Sequence, residues 1–214
     1  VQDHKRAFVD DKGPNTGGMG AYSPAPVITK SLETIIMKTV IDPIMKGLKR
    51  ERINYRGVLY AGLMICDGKP YVLEFNCRFG DPEAQPILMR LDSDLFEMMK
   101  ATAEGNLKDV EVAWKDEAAV CVVISSKGYP GEYEKGKSIT GIEELYGKKN
   151  AMVFHAGTGL SKGGLVTTGG RVLGVTALGK DIQTAKKNAY KAVEKIHFDG
   201  MYYRKDIADK AIKD

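Results

Sequence analysis

The run Val72-Leu73-Glu74-Phe75-Asn76-Cys77-Arg78 holds the densest chemistry in the sequence. On a strand, residues two apart point to the same face, so Glu74, Asn76 and Arg78 would share one face and Leu73 and Phe75 the other. A carboxylate beside an amide carbonyl offers hard oxygen ligands of the kind Mg²⁺ takes, with waters and substrate phosphates completing its octahedron. An arginine next to such an ion can stabilise charge developing on a transferring phosphoryl group. The same spacing also suits an exposed sheet face that is merely polar. Cys77 lies between two of these residues but faces away from them.

Two further stretches qualify. Lys12-Gly13-Pro14-Asn15-Thr16-Gly17-Gly18-Met19-Gly20-Ala21-Tyr22 is dense in glycine, and backbone N–H groups in such a turn can cradle an anion. It is neither a Walker loop, since no Gly-Lys-Ser/Thr follows, nor a G-x-G-x-x-G before a helix. A plain surface loop has the same composition. His155-Ala156-Gly157-Thr158, with Thr168-Gly169-Gly170-Arg171 downstream, sets a histidine and an arginine near glycine-rich turns, where they could bind phosphate or carboxylate. Two hairpin corners with a surface arginine would read the same way. His4 and His197 have no partners in sequence and read as structural. No Ser-His-Asp or Cys-His arrangement is recognisable.

The elements that would position these groups follow from periodicity. Residues 1–29 show no clean period and read as a long functional or disordered loop. Leu32, Ile35, Ile36, Val40, Ile44 and Leu48 recur at helical spacing, with Pro43 predicting a kink or restart. Residues 58–66 and 71–76 read as strands joined by an Asp67-Gly68 hairpin turn. Gly80-Asp81-Pro82-Glu83 resembles a helix start with Asp81 as N-cap and Pro82 in the first turn. Leu95, Met98, Met99 and Thr102 predict a second amphipathic helix ending near Gly105. A polar, aperiodic stretch at 106–117 predicts a boundary. Beyond it come a buried strand at 118–125, strands at 151–156, 165–168 and 171–178, and a helix through Ala185, Ala189, Ala192, Val193 and Ile196. The second half thus reads as a small, strand-rich α+β domain.

The chain has 214 residues, 43% hydrophobic and 28% charged, with a net charge of +4 from 32 basic and 28 acidic side chains. That is ordinary globular composition with enough length to bury a core without disulfides. No apolar run approaches the ~18 residues of a membrane helix, and the charged opening shows no signal-peptide pattern. The mild basic excess suits an anionic small substrate at least as well as nucleic acid, and no aromatic-plus-basic RNA motif appears. Cys66, Cys77 and Cys121, an odd number without C-x-x-C spacing, read as free cytosolic thiols. The opening at Val1 suggests that the upstream part of a longer protein is missing.

Residues 11–24 and 74–83 closely resemble the phosphoribosylamine–glycine ligase family (glycinamide ribonucleotide synthetases) of the ATP-grasp superfamily. Residues 57–64, 153–158 and 203–207 are similar to it as well, and the resemblance runs from about Gln2 to Ile212. It implies an α+β fold: the C-terminal half of an ATP-grasp catalytic domain, an antiparallel sheet with helices, over 1–112, then a small strand-rich α+β domain over 113–214. It implies the second step of de novo purine synthesis in the cytoplasm. Glycine, 5-phosphoribosylamine and ATP would give glycinamide ribonucleotide, ADP and phosphate through glycyl phosphate.

The resemblance also implies roles. Glu74 and Asn76 would be ligands of Mg²⁺ or Mn²⁺, and Arg78 would sit catalytically by the γ-phosphate. Leu73 would line the adenine pocket or pack in a core. Asn15, Thr16, Gly17, Gly18, Met19 and Gly20 would approach glycine or phosphoribosylamine. Asp81 and Glu83 would bind the substrate amine, although Asp81 also reads as a cap. His155 and Arg171 would hold the 5′-phosphate. The strand before Glu74 lacks the extra acidic ligand that many ATP-grasp enzymes carry. Another ATP-grasp carboxylate–amine ligase, or a non-catalytic folded fragment, is the competing reading; neither nucleic acid nor membrane is an expected partner. The family's ATP-clasping first half has no counterpart in these residues, whereas the chain stops where the stand-alone enzyme would. The 214 residues alone are therefore expected not to turn over; ligase turnover measured on this chain by ADP release would contradict that.

Overall fold

The computed structural model describes residues 1–212. It contains two compact units: Val1–Ala25, Asp81–Leu91 and Trp114–Asp214 form one, and Pro26–Gly80 with Asp92–Ala113 the other. In chain order the strands are β1 (Gln2–Asp3), β2 (Arg6–Phe8), β3 (Lys12–Asn15), β4 (Gly20–Ser23), β5 (Tyr60–Cys66), β6 (Lys69–Asn76), β7 (Ala118–Ser126), β8 (Ala151–His155), β9 (Thr158–Ser161), β10 (Gly164–Thr167), β11 (Arg171–Gly179) and β12 (Met201–Tyr202). The α-helices are α1 (Lys30–Ile36), α2 (Asp42–Arg50), α3 (Ala84–Arg90), α4 (Leu95–Glu104) and α5 (Ile182–Val193). Antiparallel strands and helices together make the α+β fold expected from the sequence.

The first unit is organised by β7, whose nine residues are all buried. Among the described residues it lies in a six-stranded sheet of order β1-β4-β7-β11-β8, with β12 also pairing β7, every pair antiparallel. Val120, Val122 and Ile124 pack into a core with Val175, Ala177 and the small apolar face Ala185, Ala189, Ala192 and Val193 of α5. Alternation turns Cys121 to the opposite face, where Gly174 lies beside Cys121 and Gln85 of α3. Burial pushes the Cys121 thiol up to about 12, so it is inert at neutral pH. Asp181 caps α5 by accepting a 2.7 Å bond from Thr184 N.

Residues 1–29 differ from the expected aperiodic loop. β4 pairs with β7 in the register Gly20↔Val122 through Ser23↔Ala119, and β1 pairs with β4. These strands are two to four residues long, too short for a period to show, and β7, which pairs with β4, lies far along the chain. β9 likewise escapes the sequence pattern; it forms a hairpin with β10.

The second unit follows the sequence more closely. A π-helical turn, Met37–Ile41, separates α1 from α2, and Pro43 sits in the first turn of α2. The proline ring and its missing N–H account for that break. β5 and β6 form a hairpin whose turn residues Asp67 and Gly68 both have positive φ, 49° and 70°, the geometry of a type I′ turn. Asp94 caps α4, and Gly105, at φ 85°, ends it. No described helix is long and apolar enough to cross a membrane.

The first unit is latched at its ends by Arg204, which is 1% exposed. Its Nε and Nη2 donate to Asp206 at 2.8 and 2.6 Å, and its Nη1 to Arg6 O and Asp11 Oδ1 at 3.0 and 3.1 Å. Beside it, buried His4 accepts a 3.0 Å bond at Nε2 from Ala208 N, which requires the neutral ring. Burial, with Arg204 and Lys210 outweighing Asp11 and Asp206, lowers the His4 pKa to about 4. The unfolded ring binds a proton near pH 6.5 and the folded ring does not, so this stability is complete above 6.5 and falls as pH drops toward 4. The expected loss across that window is about 3 kcal/mol. Burial would raise the Asp206 pKa, but its hydrogen bonds to Arg204 and Asp10 N outweigh that and hold it at about 2, which adds a further loss below pH 4. Urea unfolding from pH 7 to 4, with His4→Gln flattening the profile, checks this.

Candidate functional site

In the second unit the candidate metal ligands lie on β6. Register places Glu74 opposite Gly62 and Asn76 opposite Tyr60, so the two share a face of the hairpin as the spacing predicts. Phe75 pairs with Ala61 and takes the other face. Gly62 matters here. A Cβ at that position would meet the Glu74 Cγ at 3.0 Å, so the absent side chain leaves room for the carboxylate. Glu74 is exposed and Asn76 half-buried.

Two details depart from simple alternation. The register shifts between Gly62/Leu63, which pair with Glu74 and Val72; Leu73 is the extra residue of a β-bulge. It is 64% exposed. Arg78 does not share the strand face, because β6 ends at Asn76 and residues 77–78 form a bend. Its guanidinium donates to Phe79 O at 2.8 Å. Among the described residues no group of three or more His, Cys, Asp or Glu is arranged to hold a metal. The carboxylate–amide pair is therefore a partial donor set, which fits an Mg²⁺-like ion that keeps waters and takes phosphate oxygens.

In the first unit the glycine-rich segment is clasped from several sides. Thr16 N donates to Lys5 O at 2.7 Å, Gly17 N to Tyr129 Oη at 3.1 Å, Gly18 N to Thr16 Oγ1 at 2.9 Å and Met19 N to His4 O at 2.8 Å. Those amides are thus occupied and do not form the anion cradle that the composition suggested. The glycines serve close packing instead. A Cβ on Gly17 would lie 2.7 Å from the Arg171 guanidinium, one on Gly20 would lie 2.7 Å from Cys121 O, and one on Gly18 would overlap Pro82 Cδ. Gly18 also has φ 119°. Met19 and Gly20 are buried, leaving Asn15 and Gly17 exposed and Thr16 half-buried.

Asp81 is not the expected helix cap. α3 starts at Ala84, with Glu83 at the cap position and no capping side chain. The Asp81 carboxylate is drawn instead to Arg171, whose Nη1 and Nη2 donate to Oδ1 and Oδ2 at 3.0 and 2.8 Å. Glu83 is buried, 3% exposed. His155 ends β8, opposite Leu173 of β11, and its Nδ1 lies 3.0 Å from Thr158 Oγ1. Gly157 N donates to Arg171 O at 2.9 Å, so His155 and Arg171 lie at the same end of the sheet. The structure thus brings Gly17, Gly18, Asp81 and Arg171 together, as sequence alone could not. Tyr129 and Pro82, which hold the glycine turn, carry no local signal; Tyr129 is 112 residues from Gly17.

Comparison with known proteins adds a lineage. The pattern described as "Phosphoribosylglycinamide synthetase, ATP-grasp (A) domain" matches residues 1–84, and "Phosphoribosylglycinamide synthetase, C domain" matches 119–210. The chain is 52% identical over 97% of its length to a phosphoribosylamine–glycine ligase of Caldanaerobacter subterraneus subsp. tengcongensis, covering 49% of that protein. It is 51% identical over its whole length to a chloroplastic phosphoribosylamine–glycine ligase of Arabidopsis thaliana, covering 41% of it. A crystal structure of phosphoribosylamine–glycine ligase from Thermotoga maritima superposes with TM-score 0.86 at 40% identity, over 97% of this chain and 50% of that one. The chain spans about half the length of the curated relatives it matches.

Gly18→Ala is expected to destabilise the fold by about 1–3 kcal/mol, from strained φ and the clash with Pro82. Chemical denaturation of the variant measures it, and Gly68→Ala, strained in φ but with open space around it, separates the two causes.

Proposed function

The chain belongs to the phosphoribosylglycinamide synthetase family, and on that premise we propose that the intact protein joins glycine to 5-phosphoribosylamine with ATP. The products are glycinamide ribonucleotide, ADP and phosphate, and the route is glycyl phosphate. The observation that carries this reading is the Glu74–Asn76 pair on one face of the β5–β6 hairpin, opposite a glycine that leaves the carboxylate room. The relatives' names and the two family patterns supply the substrate class.

The residues divide the work as follows. Glu74 and Asn76 hold Mg²⁺ or Mn²⁺, which supplies positive charge where a carboxylate must approach a polyphosphate. Arg78 stabilises the negative charge on the γ-phosphate during transfer. Leu73, exposed at the bulge, lines the adenine pocket. Asn15, Thr16 and Gly17 present the exposed part of the turn to glycine or phosphoribosylamine, with Gly18, Met19 and Gly20 anchoring it. Glu83 takes the substrate amine, and His155 contributes at the phosphate end. Asp81 and Arg171 stand on the same substrate side through their ion pair.

In domain terms, residues 1–112 are the C-terminal half of the ATP-grasp catalytic domain and 113–214 the C-terminal α+β domain. The family patterns at 1–84 and 119–210 support that division along the sequence, while in space Val1–Ala25 and Asp81–Leu91 pack into the same compact unit as the second half. The part of the relatives that this chain does not match completes the ATP clasp. Cys66, Cys77 and Cys121 are free thiols, which suits a reducing compartment, and we place the protein in the cytoplasm.

The test is ADP release by the gene product expressed from its own start codon, omitting glycine or phosphoribosylamine in turn. Release is expected to need both. Glu74→Gln and Arg78→Ala are each expected to lower kcat by about 100-fold or more, and Gly62→Ala to raise the Mg²⁺ concentration for half-maximal rate. ADP release indifferent to glycine refutes the assignment.

A further inference from the structure

We propose that Arg171 is a positioning residue rather than a phosphate ligand. With Asp81 it clamps the Gly17–Gly18 turn to the turn that leads into α3. The inference deepens the proposed ligase reading and rests on it for the substrates involved.

The guanidinium has five N–H donors in a planar fork. Nη1 donates to Asp81 Oδ1 at 3.0 Å, to Asp81 O at 3.1 Å and to Gly17 O at 3.1 Å, with Gly18 O at 3.4 Å. Nη2 donates to Asp81 Oδ2 at 2.8 Å. The bidentate face that would recognise a phosphate is filled by a carboxylate of the same chain. Opposite, Gly17 lies so close to the guanidinium that even a methyl group would meet Cζ at 2.7 Å. Tyr129 Oη receives the Gly17 N–H and holds the turn from another side. Through Gly17 the clamp fixes exposed Asn15 and half-buried Thr16; through Asp81 it fixes Glu83, two residues on.

The pair is too open to water to be chiefly a stabilising device. The Asp81 side chain is 58% exposed and Arg171 21%, and ion pairs this exposed add little to folding. Its geometric content is larger, because a bidentate fork fixes orientation and a lysine in its place offers only a point charge. Removing it loosens two turns without unfolding the sheet.

The experiment uses the full-length enzyme with Arg171→Ala, Arg171→Lys, Asp81→Asn and the double variant Arg171→Ala/Asp81→Asn. It reads kcat and KM for glycine and phosphoribosylamine, thermal melting, and hydrogen exchange of the amides at 17–19. The expected result is a fall in kcat of about 10- to 100-fold in either single variant, with melting nearly unchanged. The double variant is no worse than the singles, lysine does not rescue, and exchange at 17–19 accelerates. A loss confined to KM for phosphoribosylamine, largely restored by lysine, makes Arg171 a phosphate ligand and overturns the proposal. Unchanged kcat in a folded Asp81→Asn enzyme overturns it too. That variant carries the test if Arg171→Ala does not fold. A wild-type enzyme that releases no ADP with glycine refutes the ligase reading instead, and exchange at 17–19 still decides the clamp.

Discussion

β7 is the constraint on which the first unit depends. A strand with nine buried residues cannot leave its edges or faces to water. β11 takes one edge, while β4 and β12 share the other. α5 covers one face with alanines small enough to approach the sheet, and α3 packs on the other. Every feature of the candidate substrate side hangs from this strand. The glycine turn is the approach to β4, the Asp81 turn is the approach to α3, and Arg171 opens β11.

The glycines of that turn illustrate how one composition supports two readings. A glycine-rich run can present amides to an anion, or it can let chain segments approach more closely than a Cβ permits. Here the second holds, since the amides of residues 16–19 are all engaged and side chains from distant segments press against the glycines. Arg204 and Arg171 then play contrasting parts with the same chemistry. Arg204 is sealed from water and satisfied by two carboxylates and a carbonyl, so it latches the fold. Arg171 is partly open, and its bonds set the attitude of two turns.

Much of this was legible from residues alone. The β5–β6 hairpin, the Glu74–Asn76 face, the break at Pro43, the buried strand at 118–125 and the alanine face of α5 all follow from local period and turn chemistry. The remainder was hidden for physical reasons. β1 and β4 are too short to show alternation, and β7, the strand on which β4 pairs, lies about a hundred residues away by register. The bulge at Leu73 and the bend after Asn76 are decided by pairing rather than composition, so Arg78 leaves the face its spacing assigned. Asp81 has the type and position of a cap, but a guanidinium from β11 competes for its carboxylate and wins. Family resemblance named candidate site residues; it did not say which of them touch each other.

The interleaving of β4 with β7 also bears on how the protein can be cut. The family's C-domain pattern starts at residue 119, yet the sheet it describes is completed by a strand from the first twenty-five residues. A piece excised at that boundary would carry β7 with one apolar edge open over Ala119–Val122. Such an edge pairs with the nearest available strand, including one from another copy of itself. Sequence modules and folding modules are therefore not the same objects here, and the module that can be passed intact from one protein to another must include both.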